Sequence, residues 1–215
     1  MQELIPLDPM GADERKSERR DAAENREHIL RIAESLFAEQ GVASVNMADI
    51  AKAAGVGKGT LYRRFANKGE LCLALMDDQF REFQDIMLDR FRQLTREQVP
   101  FLQQLEQFLE ALVYFSEKHL SYLCEVQQLS LEQPQDFSRP HYWNEITIQG
   151  LLRQAAQAGE VAAECDIELA AVLLLAPLNA AVFRYMLGNR GFTLAQICTG
   201  MRTIIAGLAA ARTGA

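Results

Sequence analysis

A chain of 215 residues, 49% hydrophobic and with a formal charge of -7, can bury a sizeable core in one or two domains. Its cysteines (Cys72, Cys124, Cys165, Cys198) are scattered, with no CxxC and no histidine at ligand spacing, which argues against a metal site or a disulfide framework. The N-terminus lacks an apolar core of signal-peptide length, and the longest apolar run, Leu169 to Leu178, falls far short of the roughly 20 residues that span a bilayer. These features predict a cytoplasmic protein with no membrane partner.

Residues 1–24 read as a disordered arm, with mixed charge, two prolines and few large apolar groups after Leu7. Arg15, Lys16, Arg19 and Arg20 could reach a DNA minor groove. The competing reading is a solvated tail, since Asp13, Glu14, Glu18 and Asp21 are interleaved with them. Order is expected from about Asn25. Ile29, Leu30, Ile32, Ala33, Leu36 and Phe37 recur at helical spacing, and Gly41 then ends that helix.

Asn46 and Asp49 form a capping-box pair for the next helix, whose apolar face is Met47, Ile50, Ala51 and Ala54. Gly55 makes a tight turn, Val56 plugs the angle, and a helix of barely two turns follows with Leu61 and Phe65 facing inward. Asn67 caps the start of another helix, with Glu70 at its third position. This is helix-turn-helix geometry, in which the second helix stands clear of the core and can enter a major groove.

Charge supports the same reading. Residues 1–70 hold 11 Lys+Arg against 12 Asp+Glu, while residues 71–215 hold 11 against 17. Between Ile50 and Gly69 the charged residues are Lys52, Lys58, Arg63, Arg64 and Lys68, with no acid among them. An acidic chain that gathers cations on one small helical unit is presenting that unit to phosphates. Lys58 can reach a guanine edge or a phosphate, and Thr60 a base or a thymine methyl. Gly57 and Gly59 let the helix start approach a DNA backbone, Tyr62 can donate its hydroxyl to a phosphate, and Lys68 stands at a helix N-terminus.

From Ile29 to Leu75 the chain resembles the DNA-binding domain of TetR-family transcriptional regulators. The motif IL-x-x-A-x-x-LF-x-x-x-G stands here as ILRIAESLFAEQG, and D-IA-x-x-AGV-x-x-GTLY-x-x-F-x-NK-x-EL as DIAKAAGVGKGTLYRRFANKGEL. The resemblance implies a homodimer on a palindromic operator in double-stranded DNA, usually a repressor released by a small-molecule effector. Its DNA contacts would fall on Asn46, Lys58, Thr60, Tyr62 and Lys68, with Arg63 as a base reader. There are three departures from the family pattern. Asn46 stands where Thr is usual, Gly57 replaces a capping Ser, and Arg64 replaces an aromatic ring and adds a phosphate contact. All three bear on which DNA sequence is preferred.

Residues 25–70 thus form the predicted reading domain, and residues 71–215 a larger helical ligand-binding and dimerisation domain, giving an all-α fold. Leu71 to Leu94 is expected to continue the capped helix as a long connector. Further helices are expected from Pro100 to His119, from Ser121 to Leu131, after the loop QPQDFSRP through Ala158, from Ile167 to Leu187 behind Asp166, and from Thr193 to about Arg212.

Leu169 to Val182 is apolar nearly all round, and Gly200, Gly207 and Ala211 make a stripe of small residues flanked by Met201, Ile204, Ile205 and Leu208. A four-helix dimer interface formed by Gly200, Ile204, Gly207, Leu208 and Ala211 is expected; the competing reading is an intrachain core. Candidate ligand-pocket residues are Tyr114, Tyr122, Tyr142, Trp143, Phe183 and Arg184, where ordinary core packing is the competing role for each ring. Arg184, a polar group in an otherwise apolar helix, would need a partner if buried, and could pair with a ligand anion, bridge to an acidic residue or lie at the dimer rim. Pro177 is expected to bend its helix.

No Gly-rich phosphate loop, GxSxG or HExxH occurs, and His28, His119 and His141 have no mechanistic partner in sequence. The chain is therefore expected to be a regulator and not an enzyme, with no cofactor. An activator without a ligand, or a helical scaffold that has lost DNA, are the alternatives.

Overall fold

Short polar side chains set the helix boundaries. The Asn46 side chain accepts from the Ala48 and Asp49 backbone N–H groups at 2.9 and 3.0 Å, and Asp49 accepts from the Asn46 N–H at 3.0 Å. Thr193 and Gln196 repeat this reciprocal box 147 residues later, at 2.8 and 3.2 Å. Asp166 accepts from the Leu169 N–H at 3.0 Å, and Asn67 from the Glu70 N–H at 2.9 Å.

The computed structural model describes residues 10–132 and 139–210. Among them it places α1 (Met10–Gln40), α2 (Met47–Ala53), α3 (Lys58–Arg64), α4 (Lys68–Leu75), α5 (Asp77–Arg96), α6 (Phe101–Lys118), α7 (Leu120–Glu132), α8 (Arg139–Gln157), α9 (Ile167–Leu175), α10 (Ala180–Arg184) and α11 (Leu194–Leu208). The fold is all-α, its only other pairing among the described residues being an isolated antiparallel bridge between Val161 and Ala209. The chain divides into two compact units between Leu75 and Met76.

Three boundaries differ from expectation. The first helix starts at Met10, not near Asn25, so the part of the expected arm at residues 10–24 is helical. Its Glu, Arg and Ala residues are good helix formers, and Arg20 lies 3.7 Å from Glu24 one turn on. Residues 1–9 of that arm lie outside the described residues. The expected continuous connector is broken at Met76, and Asp77 and Asp78 occupy the first turn of α5, where acids complement the helix dipole. The expected single helix over Ile167 to Leu187 is also divided. Pro177 lies in a 3-10 turn, Asn179 caps α10 afresh, and the two arms meet at 45°. Among the described residues no single helix is long and apolar enough to cross a membrane.

In the N-terminal unit, Ile29, Ala33 and Phe37 of α1 are buried with Met47, Ile50 and Ala51 of α2, and with Leu61, Phe65 and Leu71. In the C-terminal unit α6 packs on both α8 and α11, and α8 packs on α9. The core there gathers Leu105, Phe108, Leu112, Ile148, Leu152, Leu174, Phe183 and Met201.

One carboxylate holds the start of α6. Glu160 accepts from the Phe101 and Leu102 N–H groups at 3.0 and 2.9 Å, while its own backbone carbonyl accepts from Ala210 at 2.9 Å. Pro100 precedes α6 and offers no side-chain acceptor for these donors. Glu160→Ala should therefore lower stability by about 1–3 kcal/mol, read by urea unfolding, because two half-buried donors lose a charged acceptor.

Burial, and then the neighbouring Lys118, holds the His119 imidazole below its ordinary range. The folded unit prefers the neutral ring, so stability is fully present above pH ~6.5, the ordinary histidine value. It should fall as pH drops from there, because the unfolded chain takes up the proton first. Urea unfolding between pH 7.5 and 5.5 should show this slope, and His119→Phe should flatten it.

Candidate nucleic-acid interface

The turn that presents α3 is fixed by Gly55, whose φ of +66° lies in the left-handed region that favours glycine. The Gly55 and Val56 N–H groups return to the carbonyls of Lys52 and Ala51 at 3.2 and 3.0 Å. His28 Nε2, on α1, donates to the Ala54 carbonyl at 3.1 Å and so ties the turn to the first helix. A second tie joins α1 to the end of α3, with the Arg26 guanidinium 5.2 Å from the centre of the Phe65 ring. Neither His28 nor Arg26 was flagged by the sequence, because the pairings span 26 residues or more and follow no periodicity.

Of the seven residues of α3 only Leu61 is buried, and Phe65 is buried just beyond its end. Lys58, Tyr62, Arg63 and Arg64 are exposed, and Thr60 is half-buried. The Arg63 guanidinium donates to the Thr60 hydroxyl at 3.3 Å, which brings two expected base-reading groups together on one surface. Among the described residues no salt bridge involves Lys58, Arg63 or Arg64, although Arg81 and Arg92 each pair with an acid on α5. Unpaired cations on a short projecting helix suit a polyanion.

Asn46 and Lys68 stand differently. The Asn46 side-chain oxygen is committed to its helix cap, which leaves its NH2 group as the side chain's hydrogen-bond donor. Lys68 is half-buried, with its ammonium 5.9 Å from the centre of the Phe37 ring. Gly57 caps α3 without a side-chain bond, as expected from the loss of a capping hydroxyl.

The six candidate ligand residues stand differently in the C-terminal unit. Phe183 is fully buried in the core, Tyr122 is half-buried, and Tyr114 and Tyr142 are exposed. Arg184 is exposed on α10, the short helix that Asn179 caps. Trp143 borders a recess, alongside Phe83, Phe115 and Asn144.

Gly200, Ile204 and Gly207 are exposed on α11 and Leu208 is half-buried, while Ala211 lies outside the described residues. On α9 the exposed residues Leu169, Val172 and Leu173 follow one helical face and are 50–57% exposed.

A family profile described as bacterial regulatory proteins, tetR family, matches residues 29–75. A helix-turn-helix-type transcriptional regulator of Staphylococcus aureus (strain MRSA252) is 36% identical over 105 residues, 49% of this chain and 55% of that protein. The chain thus spans about half the length of this curated relative. Among solved structures, the fold is similar to FadR of Thermus thermophilus, a TetR-family transcriptional repressor in complex with lauroyl-CoA. The TM-score is 0.65 at 18% identity, over 88% of this chain and 98% of that one. It is also similar to the fatty acid degradation regulator FadR of Bacillus halodurans, with a TM-score of 0.60 at 21% identity over 85% and 95% of the two chains. The helix-turn-helix at Met47–Arg64 lies inside the matched segment, so residues 29–75 are similar to the DNA-binding part of bacterial regulatory proteins of the tetR family.

Proposed function

We propose that the chain is a dimeric DNA-binding transcriptional regulator, a repressor released from a palindromic operator by a small molecule. The observation that carries this reading is α3 itself, two turns long, held by Leu61 alone and otherwise exposing cations with no acid partner among the described residues. Lys58, Thr60, Arg63 and Arg64 read bases and phosphates in the major groove, with Asn46, Tyr62 and Lys68 on the flanking backbone.

Two copies joined through the apolar stripes of α9 and α11 would present two reading helices about 34–36 Å apart, or a multiple of that, to match two half-sites. An effector bound in the C-terminal unit need only favour a different spacing by a few kcal/mol to release the operator. Acyl-CoA binding by the structurally similar Thermus protein supports a ligand-responsive C-terminal unit. The test is selection of bound sequences from a random duplex pool at two salt concentrations. Recovery of a palindrome with equal half-sites is expected; recovery of nothing above background would overturn the reading.

A further inference from the structure

Helix α3 is too short and too lightly anchored to set its own direction. Its seven residues span about 10 Å, and an isolated helix of that length is unstable in water. Leu61 is its one buried side chain, so that contact alone leaves α3 free to tilt about its middle. A tilt of about 10° would move either end by roughly 1 Å, enough to break a hydrogen bond confined to about 2.7–3.2 Å. Attraction to phosphates is screened only over roughly 8 Å and would hardly change. The aim of α3 therefore matters for reading bases and little for adhering to any duplex.

Two side chains of α1, two residues apart, hold the segments on either side of α3. His28 Nε2 donates to the Ala54 carbonyl at 3.1 Å, in a partly buried bond. Ala54 closes α2 and leads through Gly55 into Gly57, the cap of α3. Carbonyls at a helix end have no intrahelical donor, so this one takes its hydrogen from another helix. Beyond the far end of α3, the Arg26 guanidinium lies 5.2 Å from the centre of the Phe65 ring. The Phe65 N–H closes α3 on the Leu61 carbonyl at 3.0 Å, so Arg26 holds the residue that terminates the helix. Both contacts come from one continuous helix, and neither belongs to the apolar core. Arg26 is exposed and His28 half-buried, whereas Ile29, Ala33 and Phe37 are the residues that bury α1.

We propose that Arg26 and His28 are positioning residues that aim α3 from α1. They govern discrimination between the operator and other DNA, not affinity for duplexes in general. This rests on the DNA-reading role proposed for α3.

The full chain and its variants would be titrated with the selected operator and with a scrambled duplex over a salt series, urea unfolding being measured on each. His28→Leu and Arg26→Leu should each weaken operator binding by about tenfold and leave the scrambled duplex within about twofold. His28→Gln should keep operator binding within about threefold of the parent. Its amide nitrogen lies as many bonds from the backbone as Nε2 and can donate to the same carbonyl. His28→Asn, polar but one bond shorter, should lose discrimination as the leucine variant does, and it carries the test if that variant does not fold. The salt dependence should stay that of the parent throughout; a slope flattened by about 0.9 in Arg26→Leu would make Arg26 a phosphate contact and overturn its positioning role. Equal losses on both duplexes, unchanged discrimination in the leucine variants, or no difference between Gln and Asn at position 28 would overturn the proposal. A parent that selects no operator removes the regulator reading and the positioning with it. A parent that discriminates no better than its variants, while still selecting a palindrome, removes the positioning alone.

Discussion

Alanine at Lys58, Arg63 and Arg64 together should weaken operator binding by roughly a thousandfold or more, while circular dichroism and thermal melting stay near those of the parent. All three side chains are exposed, and the only buried residue of α3, Leu61, is untouched. Alanine is also the best helix former, so the helix itself does not suffer. Each lost phosphate contact should flatten the log–log dependence of affinity on salt by about 0.9, whereas a lost base contact lowers discrimination without changing that slope. A salt series on the recovered operator and on a scrambled duplex therefore separates base readers from phosphate anchors. If the triple variant stays within about tenfold of the parent, α3 is not the helix in the groove.

Leu173→Glu combined with Ile204→Glu should convert a dimer into a monomer. Both side chains are about half exposed in the single chain, on the stripes of α9 and α11 that the dimer reading covers. Burying such a side chain contributes about 1.5–3 kcal/mol, and in a twofold interface each occurs twice. Because each is already about half buried in the single chain, the two positions together add about half of that full value, ~3–6 kcal/mol, enough to raise the dissociation constant by at least roughly two orders of magnitude. Light scattering over a concentration series reads the mass. Operator affinity should collapse with it, because each half-site must then be found independently. A variant that remains dimeric would move the interface elsewhere on the surface.

Local signals were readable in the amino-acid sequence. Asn46 with Asp49, Asp166, and Thr193 with Gln196 announce helix starts because their side chains satisfy backbone donors within four residues. The buried face of Met47, Ile50, Ala51 and Ala54 is equally local, a matter of helical spacing. Residues 10–24 escaped because a helix with no apolar stripe leaves no periodicity to detect. The break at Met76 escaped because neither glycine nor proline marks it. The recess could not be foreseen at all. Phe83, Leu112 and Trp143 come from three separate helices, and only tertiary packing brings them to one wall.

The architecture of α3 also bears on how such a protein changes over time. A single buried leucine anchors this helix, so the face proposed to meet DNA is nearly independent of the residues that keep the domain folded. Substitutions at positions 58, 60, 62, 63 and 64 can therefore accumulate at little thermodynamic cost. Duplicated copies of the gene can diverge to new operators one base at a time, without first acquiring compensating mutations in the core.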